Sequence, residues 1–272
     1  MNRAPSRPFL PVAAALAAAI TAAIAAAATT AGTFAASPDE RKSGAEYMSP
    51  ATQAMQRDDT QNPAMLWVAN GETLWRTAPA GGNGKSCATC HADARSSMRG
   101  AAARFPRFSK AAGKVITLSG QINQCRTGAL KADPLKPESA DLLALEVYIG
   151  LQSRGLPQTP ATDEQTRQAA ARGQKLFTTR IGQLNLSCAQ CHDQNAGKRL
   201  AGAPIPQGHA NAYPIYRLEW QSVGSLQRRL RNCMNGVRAE VPPYGASELA
   251  DLEAYLALRA QGMPMETPGV RP

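Results

Sequence analysis

Six cysteines and three histidines are the residues of this 272-residue chain best suited to chemistry, and most of them fall into two short blocks. The blocks are Cys87-Ala88-Thr89-Cys90-His91 and Cys188-Ala189-Gln190-Cys191-His192. Two thiols at this spacing can add across the vinyl groups of one haem edge, and the adjoining imidazole then lies beneath the iron as an axial ligand. A dithiol redox pair has no need of the histidine. A zinc site would need four ligands together, at closer spacing than these blocks have. The pattern therefore predicts two covalently bound haem c groups. Cys87 and Cys90 attach one, Cys188 and Cys191 the other, with His91 and His192 as axial ligands.

The remaining cysteines, Cys125 and Cys233, each open a C-x-x-G pattern at the equivalent place after a haem block. That is where the second axial ligand of a c-type haem belongs. The repeat predicts Cys125 and Cys233 as distal thiolate ligands, which favour Fe(III) and give both haems low potentials. The alternative is a Cys125–Cys233 disulfide, which requires the two to meet near a pseudo-two-fold axis. The eight methionines also supply candidate ligands, and His209 could serve one haem only, reading otherwise as a surface or structural residue.

The two lone cysteines differ in setting. Arg228, Arg229, Arg231 and Arg238 surround Cys233, whereas Cys125 has only Arg126 and Lys131 nearby in sequence. On a helix Arg229 shares a face with Cys233, four residues on. A guanidinium there would hold a sulfate-like oxyanion beside the sulfur and lower the thiol pKa. A solvated basic helix face is the plainer alternative. If one haem site does sulfur chemistry, it is the second.

Positioning these groups falls to a duplicated frame. Gly71-Glu72-Thr73-Leu74-Trp75-Arg76-Thr77 precedes the first block and Gly173-Gln174-Lys175-Leu176-Phe177-Thr178-Thr179 the second. Each half closes with a similar helix, Leu145-Glu146-Val147-Tyr148 and Leu252-Glu253-Ala254-Tyr255, followed by Gly155-Leu156-Pro157 and Gly262-Met263-Pro264. Apolar spacing gives each helix one buried face, Gly then Pro ends it, and Ser139 and Ser247 are its expected N-caps. The order helix, haem block, irregular loops, distal ligand and closing helix is that of a class I cytochrome c domain. The expected fold is mainly α: two tandem class I cytochrome c domains related by internal duplication, with an N-terminal extension. The expected boundaries are a signal peptide at 1–35, the extension at 36–62, domain 1 at 63–157 and a catalytic domain 2 at 163–272. A linker lies near Gln158–Asp163, and Ser49-Pro50 opens a short helix within the extension.

Aromatic residues make up only 5% of the chain, thin for two protein cores unless a haem serves as part of each. The net charge of +10 favours anionic small molecules or acidic partners, and no basic–aromatic stripe points to nucleic acid. Arg3 and Arg7, the Ala-rich stretch from Phe9 to Ala28 and Thr33-Phe34-Ala35 read as a secretory leader, with a retained anchor as the alternative. No later stretch is long enough to span a bilayer, so a periplasmic protein without stable membrane insertion is expected.

With these residues in view the sequence resembles the SoxA family, the dihaem subunits of the SoxAX cytochromes of bacterial sulfur oxidation. The resemblance spans essentially the whole mature chain. It rests on Tyr47-Met48-Ser49-Pro50, Asn62-Pro63, Ile122-Asn123-Gln124-Cys125-Arg126, Arg217-Leu218-Glu219-Trp220-Gln221 and Arg228-Arg229-Leu230-Arg231-Asn232-Cys233-Met234. It implies an L-cysteine S-thiosulfotransferase that joins thiosulfate oxidatively to a cysteine of the carrier SoxYZ. Electrons leave through haem to SoxX, a monohaem cytochrome c partner. It further implies that Cys233 is both axial ligand and persulfide-bearing catalytic residue, and that Arg229 binds substrate. A plain dihaem electron carrier and a peroxidase-like enzyme with an open haem are the competing readings.

Overall fold

Two glycines set the architecture. In this computed structural model, which describes Met1 and residues 40–272, the first half runs α1 (Pro50–Arg57), α2 (Met65–Arg76), α3 (Cys87–His91), α4 (Ala94–Ser97), β1 (Arg107–Ser109), β2 (Lys114–Ile116), α5 (Leu118–Gly128) and α6 (Ala140–Leu151). The leader expected at 1–35 lies outside the residues described. Helices α2 and α6 pack so closely that a Cβ on Gly71 would sit 2.2 Å from the Ala144 carbonyl oxygen. The second half runs α7 (Glu164–Thr178), α8 (Cys188–His192), β3 (Arg199–Leu200), β4 (Ala203–Pro204), β5 (Ile215–Arg217), β6 (Ser222–Gly224), α9 (Leu226–Gly236), α10 (Ser247–Arg259) and β7 (Gly269–Arg271). Here α7 packs on α10, and a Cβ on Gly173 would sit 2.0 Å from the Asp251 carbonyl oxygen.

One turn beyond each glycine an aromatic ring fills the angle of the crossing. Trp75 packs edge-on to Tyr148, with centroids 6.0 Å apart, and Phe177 lies 5.3 Å from Tyr255. Each half has its own apolar cluster, one centred on Leu145, Val147 and Tyr148, the other on Phe177, Leu249 and Leu252.

The loops expected to be irregular hold short hairpins. β1 pairs antiparallel with β2, β5 pairs antiparallel with β6, and β7 adds to β5 in parallel. Each hairpin follows an aromatic–proline cis bond, Phe105-Pro106 or Tyr213-Pro214, and leads into the helix that carries a lone cysteine. These strands are three residues long, too short for the alternation of apolar and polar positions to declare itself in sequence.

Capping agrees with the sequence at three of four places. Ser49 caps α1 with Pro50 at its first position, and Ser139 caps α6. Ser247 does not cap α10. The extended residue before that helix is Ala246, and Ser247, already helical, turns its hydroxyl to Glu248. The fourth, the glycine-then-proline stop, works through contact between halves. The chain leaves α6 and α10 through Gly155 and Gly262, both at positive φ, and the two tails pair antiparallel at Pro157 and Pro264. Gly155 N–H donates to Met265 and Gly262 N–H to Gln158, while Gln158 N–H donates to Met263 and Met265 N–H to Leu156, all at 2.8 Å. This mutual exchange is what a pseudo-two-fold axis produces, and it joins the halves of a single compact unit. The extension reaches the second half: Asn62 Nδ2 donates to the Pro268 carbonyl and Val270 N–H to Gln56 Oε1.

Candidate functional site

Both haem blocks form single helical turns fixed by the same device. Ser86 Oγ accepts from Thr89 N–H while Thr89 Oγ1 accepts from Ser86 N–H, and Ser187 and Gln190 repeat the exchange. This reciprocal cap holds turns too short to persist alone and presents both thiols and the histidine from one turn. The helices bearing Cys125 and Cys233, α5 and α9, begin at single side-chain caps, Thr117 Oγ1 accepting from Gly120 N–H and Ser225 Oγ from Arg228 N–H.

In the first half Cys87, Cys90, His91 and Cys125 line one cavity of about 310 Å³, with Trp75, Leu145 and Ile149 among its apolar walls. Three thiols and an imidazole thus surround one apolar space, a donor set and setting that fit a covalently bound haem. Burial and the nearby Cys125 push the Cys87 thiol up. The second half repeats this relation, with burial and Cys233 pushing Cys188 up to about 11.

His192 is oriented for ligation. Its Nδ1 lies 2.8 Å from the Pro206 carbonyl, which only accepts, so Nδ1 carries the proton and Nε2 is left free. The ring lies beside the Cys233 side chain, so the two expected axial ligands of the second site are neighbours. The following residue, Asp193, forms a buried ion pair with Arg259 at 2.7 Å. Its partners beneath the Phe177 ring pin the segment, since removing either would strand a buried charge.

The sulfur of Cys233 stands in a cationic pocket. Burial pushes its thiol up, but the neighbouring His192 and the charges of Arg229 and Arg217 outweigh this and hold it below the ordinary range. Of the four arginines near Cys233 in sequence, Arg229 alone is turned to this use. Arg228 stacks on Trp220 at 4.2 Å and donates to Ser222, and Arg231 stacks on Tyr244 and donates to the Pro242 carbonyl. Arg238 adopts positive φ past the end of α9.

Sequence reasoning missed Arg217 and Tyr213. Arg217 ends β5, far from Cys233 in sequence, and is held by Glu219 at 2.6 Å and by the Trp220 ring. Burial and the neighbouring Arg229 push its pKa down, and half-buried Tyr213 feels both Arg229 and Cys233. A signal was present in Arg217-Leu218-Glu219-Trp220-Gln221, but only the β5–β6 hairpin brings it to α9.

One further expectation is revised. The first site is not poor in arginine, because Arg104, Arg107 and Arg126 line its cavity. All six cysteines are free, so the Cys125–Cys233 disulfide does not form, and the pseudo-two-fold axis passes elsewhere. His209 is structural: it is buried beside Gln207, and burial with the nearby Arg259 pushes its pKa down to about 4.

The SoxA/TsdA cytochrome c domain family matches this chain over residues 70–158 and 172–265. The chain belongs to that family. The SoxA subunit of L-cysteine S-thiosulfotransferase from Pseudaminobacter salicylatoxidans is 38% identical, across 86% of this chain and 82% of its own length. The SoxA subunit from Rhodovulum sulfidophilum is 35% identical across 86% and 81%. The crystal structure of SoxXA from P. pantotrophus superposes with a TM-score of 0.81 at 33% identity, covering 85% of this chain and 87% of that one. Membership of this family accounts for covalently bound haem, for the mainly helical fold and for the paired halves.

Proposed function

We propose that this chain is the dihaem subunit of a periplasmic L-cysteine S-thiosulfotransferase, coupling thiosulfate to a cysteine of the SoxYZ carrier and passing electrons to SoxX. The observation that carries this reading is the half-buried Cys233 thiol set among His192, Arg229 and Arg217. The transferase names of the relatives support it, whereas nothing among them supports the plain electron-carrier alternative. The likeness to a SoxXA structure supports the SoxX partner. The leader at 1–35 supports export, and no helix among the described residues is long and apolar enough to cross a membrane.

In this reading Cys87, Cys90, His91 and Cys125 would hold haem 1. Cys188, Cys191, His192 and Cys233 would hold haem 2. The extension at 36–62, domain 1 at 63–157 and domain 2 at 163–272 then each have a role. Thiosulfate, a dianion, is drawn to a chain of net charge +10. Arg229 holds its sulfonate oxygens by a charge-assisted fork, with Arg217 adding a second guanidinium, and the outer sulfur is left toward Cys233 Sγ. His192, fixed by Pro206, orients the sulfur it faces. Joining the outer sulfur to a carrier thiol forms one sulfur–sulfur bond and releases one proton and two electrons. When bound, each haem would accept one electron at a time, and SoxX would carry electrons onward.

Cys233→Ala, assayed for thiosulfate coupling with SoxX and SoxYZ present, should abolish turnover with haem 1 intact. Retained turnover would sink the assignment. Mass spectrometry of the native chain should find added sulfur on Cys233.

A further inference from the structure

The tails that pair at Pro157 and Pro264 help wall a cavity of about 80 Å³ between the halves. Its walls come in equivalent pairs, Phe105 with Tyr213, Leu118 with Leu226 and Glu146 with Glu253, so it lies on the pseudo-two-fold axis. The space is large enough for a few waters. Nothing in the sulfur chemistry uses these two carboxyls.

Their surroundings hold no cation. The charged groups facing Glu146 are Glu253 and Glu138, and Glu138 also faces Glu253. Ser119 walls the cavity beside Glu146. Gln227 Nε2 donates to Glu253 Oε1 at 2.8 Å, with the Gln227 carbonyl held by Gly245 N–H. Burial, with repulsion among the acids, pushes Glu146 up to about 8 and Glu253 up to about 7. Gln158, which also lines the cavity, has a buried Oε1 with no partner. A protonated carboxyl has the O–H that this acceptor lacks. A divalent cation would want six to eight oxygens, far more than these largely apolar walls supply.

The cavity is one side-chain layer from each haem site. Phe105 and Leu118 wall both it and the cavity of the first haem site, and Tyr213 walls it while feeling the charge of Cys233. We propose that Glu146 and Glu253 form a redox-linked proton site. The pair takes up one proton from solvent when a haem in either pocket gains an electron, and returns it on reoxidation. Reduction removes one positive charge at the iron, which weakens its hold on a carboxylate and favours the acid. The proposal rests on haem loading and not on the thiosulfate reaction.

The test is the haem-loaded full chain, with midpoint potentials titrated from about pH 6 to about pH 9, where the pair ionises. Reduced-minus-oxidised infrared spectra in the carboxyl C=O region accompany it. Potentials should fall as pH rises, by up to about a tenfold shift in the oxidised-to-reduced ratio per pH unit. A carboxyl band should appear on reduction, and the double variant Glu146→Gln/Glu253→Gln should lose both effects while keeping its haem spectrum. Flat potentials in the unsubstituted chain, no carboxyl band, or a slope that survives in the double variant would overturn the proposal. So would a band that responds to calcium and not to pH. If the double variant fails to bind haem, the infrared band of the unsubstituted chain decides. Failure here leaves thiosulfate coupling intact, and failure of the Cys233 assay leaves the pH slope intact.

Discussion

Four residues before its lone cysteine, the first half carries Gln121 and the second carries Arg229. Gln121 Nε2 lies 3.5 Å from Cys125 Sγ, so an amide faces the sulfur there, with Arg107 bonded behind it at 3.0 Å. At the ends of the equivalent strands stand Ser109 and Arg217, and before the equivalent prolines stand Phe105 and Tyr213. Three exchanges in one frame thus convert a sulfur faced by a neutral donor into one faced by two guanidinium groups. The crossing glycines, the aromatic wedges and the reciprocal caps are the same in both halves. Fold is conserved between the halves where packing demands it, and charge differs where only chemistry would notice.

The sharpest way to break this comparison is to remove each sulfur in turn. Cys233→Ala should lower thiosulfate coupling by at least roughly a thousandfold, as loss of a covalent catalytic group does. Cys125→Ala should leave coupling within severalfold while changing the haem 1 spectrum. Equal losses would dissolve the distinction. Next in size are the groups beside the sulfurs. Arg229→Ala should reduce kcat/KM for thiosulfate by roughly a hundredfold, the scale of a charge-assisted bond to an anion. Arg217→Ala should act in the same direction but less, and Gln121→Ala should have little effect.

Frame substitutions should by contrast act alike in both halves. Gly71→Ala and Gly173→Ala each force a methyl into backbone oxygen at the helix crossing. Each should destabilise by about 1–3 kcal/mol or more, lowering the melting temperature by several degrees. A large effect in one half only would show the crossings to be unequal. The last effect belongs to titration. Glu146 is pushed from the ordinary 4.5 up to about 8, so the unfolded chain ionises first and stability falls as pH rises through that interval. Glu146→Gln should flatten this fall, with little difference from the unsubstituted chain below the ordinary value, measured by thermal denaturation across pH.

Much of the site was legible because haem attachment is local. Cys-x-x-Cys-His occupies one helical turn, so spacing alone brings its groups together, and the duplicated frame marked the helices around it. The lone cysteines were legible through repetition. What misled was counting neighbours along the chain. Arg228 and Arg231 flank Arg229 in sequence but turn to Trp220 and Tyr244, because successive residues on a helix point about a hundred degrees apart. Arg107, distant in sequence, reaches the first cavity through a hairpin too short to read.

The amino-acid sequence by itself determined two Cys-x-x-Cys-His blocks, two lone cysteines at equivalent places and a duplicated helical frame, since each rests on residues close in the chain or on a repeated pattern. Only the tertiary structure decided which arginines face Cys233, that the six thiols stay unpaired, and that the axis between the halves runs through Glu146 and Glu253. Those outcomes depend on how two hairpins and two tails meet across the molecule. Contacts of that kind are set by packing between distant segments, and no local spacing records them.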